Sequence, residues 1–144
     1  MPNLFISHGD AVWVKVRTIE FDDADVAIAN TTATLTCDPI QCGAAALMQT
    51  EVLVVERIQF AGNAGTLVLD VGKSGATEKY AKDVSLKSTS GTRTLGSGTT
   101  SVNPANAESN GLPVVLTLTS GTGNLSTLSA GAADIYVRYE PLPA

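Results

Sequence analysis

The chain has 144 residues, of which 44% are hydrophobic and only 16% charged, with 9 basic against 14 acidic side chains and a net charge of -5. Soluble domains average about 25% charged residues, so the surface is unusually neutral. This composition excludes disorder, and the acidic balance excludes a general nucleic-acid binder, which needs Lys and Arg to neutralise phosphates. No apolar run approaches the ~20 residues of a membrane-spanning helix.

Met1 to His8 lacks the basic start and apolar stretch of a secretion signal, so synthesis in a cytoplasm is expected. Residues 1–10 are expected to form an N-terminal arm whose anchors are Leu4, Phe5 and Ile6. The arm lies either on a neighbouring subunit or shell, or back on its own domain. Residues 11–144 are expected to form a single β-sandwich domain.

From residue 11 the hydrophobic period is two. Val12, Val14 and Val16 alternate with Trp13, Lys15 and Arg17, which places Trp13 on the polar face. Trp13 is there either a binding platform or a residue that packs under a neighbouring chain. Asp22, Asp23 and Asp25 are the densest acidic cluster, but they lack the spacing and closing Glu of a calcium loop and read as a turn. A short strand over 26–29 and a longer one over 32–37 follow, the second with Ala33, Leu35 and Cys37 against Thr32, Thr34 and Thr36. A disulfide between Cys37 and Cys42 is geometrically possible across the loop that holds Pro39, but in a reducing compartment the two read as free thiols, one of them a core residue. With a single histidine, His8, the chain lacks the spaced ligand pairs of a structural zinc site.

Residues 51–60 begin with Val52, Leu53, Val54 and Val55, apolar on both faces. Such a strand is either central or covered by a neighbouring subunit, which makes Leu53 and Val55 interface candidates. Gly62 to Gly65 reads as a short hairpin loop into a strand over 66–71. Gly72-Lys73-Ser74 mimics the end of a phosphate-binding loop, yet Leu67 stands where that loop needs glycine. Thr77 to Asp83 is the one segment compatible with a helix, and a strand is expected over 84–87. Ser88 to Pro113 reads as a long polar loop, functional or ordered from outside the domain. Strands over 114–119 and 132–140 close the chain. The count is about eight, and the class is an antiparallel sandwich or barrel.

Chemistry is sparse. His8 lies in the expected arm, so a nucleophile–base–orienter set has no obvious base. No catalytic, cofactor or metal residue is assigned, and an enzyme is not expected.

The run Val52 to Phe60, then Thr66 to Gly72, a Thr/Gly-rich stretch, Val114 to Leu125 and Ser129 to Tyr139 carries a resemblance. Over roughly residues 47–140 it resembles the small accessory proteins of tailed-bacteriophage virions. The resemblance implies an all-β, jelly-roll-like antiparallel β-sandwich, often trimeric, that cements or decorates a capsid or sits in the tail or neck. The implied partners are the major capsid protein, or neighbouring virion proteins, and further copies of this chain as a homotrimer. Neither nucleic acid nor membrane is an expected partner. The implied location is the outer surface of the capsid. A tail, neck or fibre-base part is the alternative, and a glycan-binding module with Trp13 or Tyr136 as platform is a further one.

Overall fold

The computed structural model describes residues 12–43, 45–99 and 102–142. The strands are β1 (Val12–Glu20), β2 (Thr32–Ile40), β3 (Leu47–Ala61), β4 (Leu67–Lys73), β5 (Ala76–Ser85), β6 (Thr92–Gly96), β7 (Leu112–Ser120) and β8 (Ala130–Pro141). They form two four-stranded sheets, ordered β1-β8-β3-β6 and β2-β7-β4-β5, with every pairing antiparallel. Successive strands alternate between sheets except at the β4–β5 hairpin, which gives a jelly-roll-like sandwich. The arm expected over residues 1–10, with Leu4, Phe5 and Ile6, lies outside the described residues.

The alternating pattern sets which side chains meet between the sheets. On β2, Ala33, Leu35 and Cys37 are buried while Thr32, Thr34 and Thr36 face out. Leu35, Leu116 and Val71 stand in one cross-strand row, all fully buried. From the other sheet Val52, Val54, Ile135 and Val137 complete the core. Phe60 fills one end of the sandwich. At Gly131, with φ +142°, a Cβ would drive into the Phe60 ring, so that position needs glycine both for its backbone and for its space.

Several local expectations are corrected. Residues 26–29 are not a strand: Ala24–Ala27 form one helical turn, α1, after Asp23, whose carbonyl accepts from the Val26 and Ala27 N–H groups. The acidic turn reading of this stretch holds, since Asp23 accepts from the Glu20 N–H at 3.1 Å and stands 3.7 Å from Arg17. Gly62 to Gly65 is not a hairpin loop. It carries the chain from β3 in one sheet to β4 in the other. Thr77 to Asp83 is strand, not helix, because Ser74-Gly75 turns it back along β4. The other edge of β5 receives the 97–99 segment through Lys82 N–H to Ser97 and Thr99 N–H to Glu78. Those two ladders outweigh a helix propensity worth only tenths of a kcal/mol per residue. The loop expected over Ser88 to Pro113 contains β6, which pairs with the middle of β3.

Candidate functional site

The outer face of the β1-β8-β3-β6 sheet gathers residues that the sequence scatters over more than a hundred positions. One row across the strands reads Lys15, Tyr136, Leu53, Leu95. The next reads Thr18, Asp134, Val55, Arg93, and on the other side Trp13, Arg138 and Glu51 stand in line. All three described interface candidates, Trp13, Leu53 and Val55, therefore share one face. Trp13 is 41% exposed and Leu95 63%, far more than a core side chain. Leu53 and Val55 are half-buried because β3 is central, flanked by β8 and β6. Tyr136 stands between Lys15 and Leu53. Arg17, expected beside Trp13, is displaced from this face by an irregularity between Lys15 and Arg17, and instead faces Asp23.

The rim of this face carries both signs, with Lys15, Arg57, Arg93 and Arg138 beside Glu20, Glu51, Asp134 and Glu140. Arg57 is held by Asp134 at 2.9 Å and Arg138 by Glu51 at 3.7 Å. Thr18 donates to the other oxygen of Asp134 at 2.6 Å. Lys15 and Arg93 make no ion pair among the described residues.

The opposite outer face has different chemistry. Thr32, Thr34 and Thr36 of β2 stand beside Thr119, Thr117 and Val115 of β7, and these beside Val68, Asp70 and Gly72 of β4. The carboxylates of Asp70, Glu78 and Asp83 come together, with ligand oxygens all within 4.8 Å of one another. The Asp83 N–H donates to Asp70 at 2.8 Å, and Lys82 lies 3.6 Å from Glu78. Burial pushes the Asp70 carboxyl up, and the nearby Asp83 and Glu78 charges add to this. Sequence reading missed this cluster because it spans two strands of a hairpin, whereas Asp22, Asp23 and Asp25 are adjacent in the chain.

Two further carboxylates act as fasteners. Glu56, inward-facing on β3 and 2% exposed, accepts from the N–H groups of Phe60 at 3.2 Å and Ser88 at 3.0 Å. Burial raises its pKa, and the two N–H bonds offset part of that. Glu108 accepts from Lys73 at 2.6 Å and Lys79 at 2.8 Å. Burial acts to raise its pKa, but the two ammonium groups outweigh burial and the net direction is down. Lys73 of the phosphate-loop look-alike is thus committed to an ion pair. Tyr80 donates to the Pro113 carbonyl at 3.1 Å, and burial pushes its phenol far up, out of reach of acid–base work at neutral pH. Cys37 is a buried free thiol and Cys42 a half-buried one. Burial raises the Cys37 thiol, the opposite of what a nucleophile needs.

No protein-family model and no curated protein matches this sequence. The fold has a solved counterpart. It is similar to a chain of the structure described as "Cyanophage Pam1 capsid asymmetric unit", with a TM-score of 0.53 and 17% identity, covering 94% of this chain and 87% of that one. At that identity the likeness is one of fold. It extends over nearly the whole chain, including the N-terminal strands that lie outside the 47–140 resemblance.

Proposed function

We propose that this chain is a non-enzymatic structural protein of a bacteriophage virion, a cement or decoration protein that sits on the outer surface of the head and bridges capsomers. The observation that carries the reading is the match of almost the whole jelly-roll-like sandwich to a chain from a phage capsid asymmetric unit. The two outer faces support it. One is apolar with a charged rim, the anatomy of a protein interface, and the other is threonine-rich and suited to solvent. Low overall charge lets wide surfaces be covered without stranding ions. The reading includes a homotrimer, with the arm over residues 1–10 reaching a neighbouring subunit or the shell.

A cement acts by mass action, since whatever binds the assembled shell stabilises it. Quantitative mass spectrometry of purified particles tests the assignment. Hundreds of copies per particle are expected, with particles lacking the chain releasing their genome at lower temperature. A dozen copies or fewer, with unchanged heat stability, places the protein in the tail or neck instead.

A further inference from the structure

We infer that residues 3–8 of this chain add a further strand to the open edge of β1, with Phe5 seated in the groove between β1 and the end of β2. This goes beyond the proposed virion role and is tested on the free protein, so either can fail without the other. The segment itself lies outside the described residues; its seat does not.

One end of β1 is bare on its inward face. Ile19, towards the end of the strand, is fully buried, whereas Val12 at its start is 43% exposed and Val14 only half-buried. Beside them a groove of about 360 Å³ opens between the edge strands of the two sheets. Val14, Val16, Pro39, Ile40 and Tyr139 supply the apolar part of its lining.

The backbone of β1 is also open, and its phase is fixed. The Phe21 N–H donates to the Gly131 carbonyl, so along β8 the odd-numbered residues from Ala133 on turn their N–H and C=O groups to β1. Val12 and Val14, opposite Tyr139 and Val137, are the ones that bond to β8. Trp13 and Lys15 therefore direct theirs to the other side, where no strand stands among the described residues. Such an edge is a template for another strand.

The sequence before β1 has the same phase. Gly9-Asp10 has the composition of a two-residue hairpin turn, glycine first. That turn closes on a hydrogen-bonded pair, His8 with Ala11, and the pairs bonded alike after it are Ile6 with Trp13 and Leu4 with Lys15. These are the groups β1 leaves free. A turn shifted by one residue closes on Val12, whose groups β8 already holds. In this register Phe5 stands opposite Val14, on the inward side, over the groove. Leu4 and Ile6 take the outward side beside Lys15 and Trp13, from where they still reach a neighbouring subunit or the shell.

Tethering selects the occupant. Eleven residues precede Val12, and after the turn 3–8 run alongside 11–16. A two-residue connection costs little closure entropy, so a neighbour's arm or a second copy's β1 has to displace a strand already in place.

The test follows amide hydrogen exchange at Trp13 and Lys15 by NMR in the full chain, with Leu116 in the core as the reference for folding. Phe5→Asp removes the groove anchor, and Ile6→Pro removes the N–H that faces Trp13. Should Phe5→Asp lose protection at Leu116, the milder Phe5→Ser replaces it. In wild type both edge amides are expected to exchange at least tenfold more slowly than in either variant. Labelled wild type refolded from urea with an excess of unlabelled Phe5 variant is expected to keep that protection. Freely exchanging edge amides in wild type overturn the inference. Protection that both variants retain overturns it in favour of another occupant, and protection lost on mixing overturns it in favour of a neighbour's arm.

Discussion

Glu108 offers the sharpest test of how the connection between β6 and β7 is held. Its carboxylate takes two lysines from the two strands of the β4–β5 hairpin, Lys73 at the end of β4 and Lys79 on β5, at 2.6 and 2.8 Å. The side chains of Glu108 and Lys79 are 20% and 13% exposed, and that of Lys73 33%. An exposed ion pair contributes ~0–1 kcal/mol, and breaking a buried one costs ~3–5 kcal/mol. The Lys73 pair belongs near the first limit. The Lys79 pair lies between the two, because its ammonium is left with the Asn106 carbonyl at 3.4 Å and the Tyr80 ring at 5.7 Å. Glu108→Gln is therefore expected to cost about 2 kcal/mol at pH 7. With a urea m-value of ~2 kcal/mol/M, the midpoint falls by about 1 M. The pH dependence is the more specific readout. The folded-state pKa of Glu108 is lowered, so its contribution is present above the unfolded carboxylate value and is lost as pH falls through the folded value. Urea titrations of wild type and Glu108→Gln from pH 7 towards pH 3 are expected to converge. A gap that stays constant over that range refutes the ion-pair account and assigns the loss to packing or to a changed loop.

Glu56 should behave with the opposite sign. Its folded pKa is raised by burial, so its contribution is full below the unfolded value and is lost as pH rises through the folded one. Glu56→Gln, compared with wild type in urea titrations, should accordingly be more damaging at pH 4 than at pH 8, and the reverse order rejects burial as the cause. In the core, Leu116→Ala removes a fully buried side chain between Leu35 and Val71. It is expected to cost ~3 kcal/mol, read as a lowered denaturation midpoint, and a loss under 1 kcal/mol would show that the two sheets collapse into the space.

The sequence alone determined which side of most strands is apolar. Ala33-Leu35-Cys37 and Val114-Leu116-Leu118 state their faces by period two, and the structure buries each of these side chains. It also marked Val52 to Val55 as a strand apolar on both faces, and β3 is indeed central. Periodicity is local, however, and names a face without naming the neighbour. The glycine turn after Phe60 looked like a hairpin because nothing in it records that β3 and β4 belong to different sheets. Thr77 to Asp83 has helix-forming residues, and only β4 on one side and the 97–99 segment on the other make it a strand. β6 is five residues of Thr, Arg, Leu and Gly, too short and mixed to show a period, and it exists through its pairing with β3. The candidate interface follows the same rule. Trp13, Leu53 and Val55 were visible as residues out of place, but their union with Tyr136 and Leu95 required β8 to lie between β1 and β3, and β6 beyond. A side chain's face is set by its own backbone, whereas the company it keeps is set by strands a hundred residues away.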